Sequence, residues 1–143
     1  MEKLKILFLC TGNSCRSQMA EGWARHLKGD SIEPWSAGIE PKGLDPVAVR
    51  VMAEAGVDIS DHHSKHFKEL MDISFDYVIT VCDSANESCP FFPGKTKRIH
   101  KGFDDPPQLA KSAGSEEEVL DSYRRVRDEI KDYVAGMPKN LIG

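Results

Sequence analysis

A β-compatible apolar run, Lys3 to Leu9, leads directly into Cys10-Thr11-Gly12-Asn13-Ser14-Cys15-Arg16-Ser17. Beyond it, Met19, Trp23 and Leu27 recur at helical spacing within Ser17 to Leu27. The segment therefore joins a strand end to a helix start. At such a junction the unpaired amides of the first helical turn and the helix dipole favour an anion. Gly12 and Asn13 tolerate positive φ, so the successive N–H groups of Thr11, Gly12, Asn13, Ser14, Cys15 and Arg16 can turn inward as a nest for a tetrahedral oxyanion. The Arg16 side chain adds a planar fork able to hold two of the anion's oxygens. The same positive field is expected to favour the Cys10 thiolate over the thiol, whose free pKa is about 8.5. Ser17 is placed to donate one more hydrogen bond to that sulfur. A cysteine closing a buried strand is often only packed, and C-x5-R by itself arises by chance. The full string between a strand and a helix marks a nucleophile inside an anion-binding loop.

At 143 residues the chain is expected to form one domain, residues 1–143, burying roughly 70% of its unfolded surface. No apolar run is long enough to span a bilayer, and no basic-then-apolar signal opens the sequence, so a soluble, cytoplasmic protein is expected. A net charge of −4 without a dense Lys/Arg tract argues against nucleic acid or an anionic membrane as partner. An anionic substrate must then be attracted locally, by the loop. A monomer is expected.

Further along, Ile32 to Ala37 reads as a strand that Pro34 assigns to a sheet edge or a bulge. Asp45-Pro46 starts a helix with Val47, Val51 and Ala55 at four-residue intervals, stopped by Gly56. Phe67 to Met71 suits a shorter helix, and Tyr77-Val78-Ile79-Thr80-Val81 a central buried strand. A weaker strand lies near Arg98 to His100. Ser115 with Glu118 predicts a capping box for a last helix whose apolar stripe is Val119, Tyr123, Val126, Ile130 and Val134, closed by Gly136 and Pro138. Alternating strands and helices predict an α/β fold, a parallel sheet covered on both faces and joined by right-handed crossovers. In such sheets ligands bind beyond the carboxyl ends of the strands. Cys10 follows the first strand, Cys82 the third and Asp105 the fourth.

Four cysteines in a chain without a secretory signal point to redox or metal chemistry rather than a structural disulfide framework. Cys82 and Cys89 bracket six small, polar residues that either loop freely or form a short, marginal helix. The pair can be redox-active, can simply be buried at a strand end, or can join His100 on zinc. C-x6-C is a poor match to structural zinc spacing, and no metal ligand set is assigned. Cys15 reads as a small buried hydrophobe beneath the loop. Asp104-Asp105-Pro106-Pro107 forms a Pro-stiffened loop that either caps a helix or brings a carboxyl group to the anion loop as a proton donor.

The loop, the C-x6-C segment and the Asp-Pro-Pro loop together resemble the thioredoxin-coupled arsenate reductases of the low-molecular-weight tyrosine phosphatase superfamily, over nearly the whole chain. The resemblance implies a three-layer sandwich, a four-stranded parallel sheet with helices on both faces. In that fold the first and third strands are neighbours, about 4.8 Å apart, which a disulfide between Cys10 and Cys82 can bridge. It further implies arsenate as substrate, Cys10 as nucleophile, Arg16 and Ser17 as its supports, and Asp105 rather than Asp104 as general acid. A cascade through Cys10, Cys82 and Cys89 is then recharged by reduced thioredoxin, with no bound cofactor. A glutaredoxin system is the alternative donor. Phosphatases of this fold place an aromatic residue after the Asp-Pro, where this chain has Pro107, which favours a small inorganic substrate. Some relatives bind potassium beside the loop. Asn13, Glu21 and Ser36 match the oxygen-bearing positions, while Lys65 stands where a carboxylate is expected. The rival readings are a low-molecular-weight phosphatase and a noncatalytic oxyanion or thiol sensor.

Overall fold

The computed structural model describes residues 3–90, 92 and 94–141. Four strands, β1 (Leu4–Cys10), β2 (Ile32–Gly38), β3 (Tyr77–Thr80) and β4 (Lys97–His100), form one parallel sheet in the order β2-β1-β3-β4. The helices are α1 (Arg16–Lys28), α2 (Pro46–Glu54), α3 (Asp83–Glu87), α4 (Pro106–Ala110) and α5 (Glu116–Ala135). Short 3₁₀ turns occupy Phe67–Leu70 and Lys139–Leu141.

Ile6, Leu7, Phe8 and Leu9 of β1 are all fully buried, as a strand covered on both faces requires. The two faces follow from handedness. From β1 to β2 the chain moves one way across the sheet and from β3 to β4 the other, so right-handed crossovers put α1 and α3 on opposite faces. Pro34 lies in the edge strand β2, where a missing N–H costs no ladder bond on the open side. β3, the β-branched run, is central and wholly buried.

Helix α5 packs across α1, α2 and α4. Trp23 of α1 is buried against it and donates its indole N–H to the Arg127 carbonyl at 3.2 Å. The buried stripe of α5 is Leu120, Tyr123, Val126, Ile130 and Val134. Val119, assigned to that stripe by spacing, is only half-buried. Leu27 is likewise 36% exposed, because the last turn of α1, with Arg25 and His26, runs clear of the core. Ser115 caps α5 through the Glu118 N–H, but the Glu118 carboxylate returns to the Gly114 amide instead of closing the capping box on Ser115. Among the described residues no helix is long and apolar enough to cross a membrane.

Gly22 sets how closely α1 approaches the segment after α2. A Cβ there would lie 2.6 Å from Ile59 Cγ2 and 3.2 Å from Met52 Cε. Alanine improves helix propensity by about 1 kcal/mol, while overpacking costs about 1–3 kcal/mol. Gly22→Ala should therefore fail to stabilise the fold and lower its stability by up to about 2 kcal/mol in urea unfolding, despite the better helix former.

Candidate active site

β1 ends on Cys10 and α1 begins at Arg16, so the loop Thr11 to Cys15 sits at the carboxyl edge of a central strand. Its carbonyls are held outward. The Cys10, Thr11, Gly12 and Ser14 carbonyls accept the N–H groups of Ile39, Glu40, Lys42 and Asp45 at 2.8–3.2 Å. Gln18 Nε2 binds the Asn13 carbonyl and Ser64 Oγ the Gly12 carbonyl. What remains facing the centre is the amide edge of the loop, and the Asn13 N–H lies 3.2 Å from Cys10 Sγ. Of the two residues expected to tolerate positive φ, only Asn13 uses it, at 47°.

Asn13 also fixes the direction of the next hydrogen bond. Its Nδ2 donates to Ser17 Oγ at 2.8 Å, so the hydroxyl hydrogen of Ser17 is left for Cys10 Sγ, also 2.8 Å away. Cys10 is 3% exposed. Burial pushes its thiol up from the ordinary cysteine value, against the Ser17 hydrogen bonds and the Arg16 charge, which pull it down. This corrects the expectation of a lowered Cys10 in the ligand-free protein. Arg16 opposes burial only in part because its guanidinium is already engaged, with Nη1 on the Phe103 carbonyl at 3.0 Å and Nη2 3.5 Å from Asp105 Oδ1. Cys15 is buried at the N-cap of α1, and desolvation, then the neighbouring Asp45, push its thiol well up.

Cys82 follows β3, the other neighbour of β1. Carrying the β1–β3 register, which pairs Leu9 with Thr80, two residues onward puts Cys82 opposite Thr11. Thr11 Oγ1 lies 3.3 Å from Cys82 Sγ, and the Ala85 N–H lies 3.4 Å from the same sulfur. Cys82 is 4% exposed. Cys89 lies beyond α3, half-buried, where burial raises its thiol and Arg98 opposes the shift. All four cysteines are free thiols. Among the described residues His100 is not grouped with the cysteines as a metal ligand. Its ring lies between Thr80 Oγ1 and Asp83 Oδ1. Among the described residues no group of three His, Cys, Asp or Glu side chains is arranged to hold a metal.

The two Asp-Pro steps serve different ends. Asp45 caps α2 through Val47 N and takes the Tyr123 hydroxyl. Asp105 occupies the N-cap of α4, a helix start rather than an open loop, yet its side chain makes no cap bond and turns to Arg16 instead. Asp104 points to Arg125. Thr11, Arg16, Cys82, Asp83, Gly102, Phe103, Asp104 and Asp105 line a cavity of 520 Å³. Phe103 gives its carbonyl to Arg16 at this cavity, while its ring packs edge-on against Tyr133 and under Lys101 Nζ.

Several supports carry no local signal. Gly38 is one, since a Cβ there would lie 2.7 Å from the Thr11 carbonyl oxygen and 3.0 Å from Asn13 N. Lys65 is another. Its Nζ donates to the Ser36 and His63 carbonyls and its N–H to Asn13 Oδ1, while Ser36 Oγ and Arg25 occupy the Glu21 carboxylate. An ammonium already bound to Ser36 does not fit a potassium ion among Asn13, Glu21 and Ser36.

Residues 5–142 match the family of low molecular weight phosphotyrosine protein phosphatases. The chain belongs to that family. Within this phosphatase family it is 52% identical over 134 residues to an arsenate reductase of Bacillus licheniformis, covering 94% of each chain. It resembles the solved structure of an arsenate reductase in its oxidized state, with a TM-score of 0.76, 29% identity, and 96% and 98% of the two chains covered. It also resembles a thioredoxin-dependent arsenate reductase of Corynebacterium glutamicum, with a TM-score of 0.65 and 26% identity, over 92% of this chain and 62% of that one. The parallel four-stranded α/β architecture is the family's own.

Because the Ser17 hydroxyl stabilises a negative sulfur, Ser17→Ala should raise the Cys10 pKa further. A hydrogen bond to a charged group is worth about 1.5–3 kcal/mol, or about one to two pKa units. The pH–rate profile of Cys10 alkylation should move up by that amount, slowing the reaction about ten- to a hundredfold at neutral pH. Gly38→Ala should weaken phosphate binding by about tenfold, as an overpacking cost of about 1–3 kcal/mol against the Thr11 carbonyl implies and titration calorimetry would read.

Proposed function

We propose that the chain reduces arsenate to arsenite, using Cys10, Cys82 and Cys89 in succession and reduced thioredoxin as electron donor. The observation that carries this reading is the second thiol at the cavity, Cys82, held against Thr11 of the anion loop one strand away from Cys10. Hydrolysis of a phosphate ester has no use for it. The arsenate reductase relatives support the substrate, and the thioredoxin-dependent neighbour supports the donor.

Arsenate enters the loop's amide edge and takes the Arg16 guanidinium in place of Asp105. The Cys10 thiolate, steadied by the Ser17 hydroxyl and the Asn13 amide, attacks arsenic, and Asp105 protonates the oxygen that leaves as water. The Cys82 thiolate then attacks Cys10 Sγ. The electron pair of the S–As bond passes to arsenic, As(V) becomes As(III), arsenite departs, and a Cys10–Cys82 disulfide remains. Cys89 attacks Cys82, releasing the Cys10 thiolate and leaving a Cys82–Cys89 disulfide for thioredoxin. With α3 folded, Cys82 and Cys89 lie beyond opposite ends of a five-residue helix about 7.5 Å long, already past the roughly 7 Å that a disulfide accepts. α3 must open for that bond to form. A reducing, cytoplasmic setting belongs to the same reading, since the resting thiols have to be restored.

Phosphatase activity is the second reading, favoured by the family match and by the shared first attack. Arsenate-dependent NADPH oxidation with thioredoxin and thioredoxin reductase, alongside direct arsenite assay, separates the two. Turnover should require Cys10, Cys82 and Cys89, and Cys82→Ser should abolish it while sparing aryl phosphate hydrolysis. Steady aryl phosphatase activity with no arsenite from the reduced protein would favour the phosphatase. Asp105→Asn should slow the first arsenate step about 10²–10⁴-fold, and an unchanged single-turnover rate would remove Asp105 as the acid.

A further inference from the structure

Helix α3 has five residues and starts immediately after Cys82. A helix this short is marginal on its own and needs tertiary contacts to stay folded. One such contact is at its first residue. Asp83 Oδ1 lies 3.1 Å from His100 Nε2, and His100 Nδ1 lies 2.9 Å from Thr80 Oγ1. Thr80 is fully buried in β3, His100 ends β4, and the Asp83 side chain is 90% exposed. With Nε2–H donating to Asp83, Nδ1 accepts from the threonine hydroxyl, and a protonated ring donates to both. In either state the histidine ties the head of α3 to the sheet. Gly102 passes beside the pair, where a Cβ would meet His100 Nε2 at 3.3 Å and Asp83 Oδ1 at 3.5 Å, so the chain leading to the Phe103 carbonyl and Arg16 rests against the same contact.

We propose that Asp83 and His100 are a positioning pair for the second thiol exchange. While the pair holds, α3 stays folded, the Ala85 amide stays on Cys82 Sγ, and Cys82 faces Cys10. When it parts, α3 unwinds and Cys89 reaches Cys82. The proposal rests on the three-cysteine reading. The gated step is a pure exchange, in which the Cys89 thiolate forms a bond to Cys82 Sγ, the Cys10–Cys82 bond breaks, and Cys10 leaves as thiolate with no net oxidation.

The test compares Asp83→Asn, His100→Gln and the double variant with the parent chain. In reduced, arsenate-free protein, hydrogen exchange at the Ala85 amide and alkylation of Cys82 by iodoacetamide, mapped by mass spectrometry, report α3 opening. After one equivalent of arsenate, quenched samples give the rates at which the two disulfides appear. Each single variant should speed Ala85 exchange, Cys82 alkylation and the Cys82–Cys89 disulfide about two- to fivefold, the range open to an exposed pair. The Cys10–Cys82 disulfide should appear no faster, and the double variant should add nothing to either single. Asp83→Asn removes a negative charge near Cys82, whereas His100→Gln removes none from a neutral ring and a positive one from a protonated ring, so equal acceleration by both marks opening rather than electrostatics. Opposite shifts, additive shifts, or unchanged Ala85 and Cys82 would overturn the pair. If the parent chain forms neither disulfide with arsenate, the cascade fails, while the exchange and alkylation measurements still decide whether the pair holds α3.

Discussion

An anion can be held by backbone amides only if the carbonyls of the same residues are fastened elsewhere, and from Cys10 to Ser14 every carbonyl takes a donor from outside the loop. The segment Ile39 to Asp45 supplies four of those donors through its own backbone. β2 delivers that segment to the loop, and Gly38, the last residue of β2, lets the two backbones approach to a distance that no side chain permits. The position of Cys10 Sγ, the path of Asn13 and the start of α1 all depend on this outward anchoring.

Much of the fold was legible because it is periodic or punctuated. The β1 run, the Asp45-Pro46 start and the Ser115 cap are local signals, and each lies where local physics puts it. The two misplaced stripe residues, Leu27 and Val119, sit in end turns of helices that the core does not cover, which spacing alone cannot reveal. The loop's chemistry was legible as a string. Its supports were not, since Gln18, Gly38, Ser64 and Lys65 act across up to 52 residues of sequence through contacts that only the fold creates. The Cys10 thiol failed for a related reason: the string displays the positive field but neither the burial of the sulfur nor the engagement of Arg16 with Asp105.

Asp-Pro occurs at both 45 and 105, each time at a helix N-cap, so the dipeptide alone does not set the role of its carboxylate. Tertiary neighbours do. Tyr123 and the α2 amide consume both oxygens of Asp45, whereas Asp105 leaves its own helix uncapped and faces the guanidinium of the loop. A carboxylate released from capping is free to serve chemistry. α4 is correspondingly only five residues long and leans on α5.

The anchoring segment has a further consequence for how such a chain can vary. Because Ile39, Glu40, Lys42 and Asp45 hold the loop through main-chain N–H groups, most side chains there are interchangeable as far as the loop is concerned, but the segment's length is not, and proline at any of those four positions deletes a donor. The segment already contains one proline, Pro41, between two of the donors, at a position the loop does not use. An inserted or deleted residue in this exposed stretch would shift the whole set of donors out of phase with the carbonyls, so a surface loop of the kind that usually absorbs length changes is here held to a fixed count.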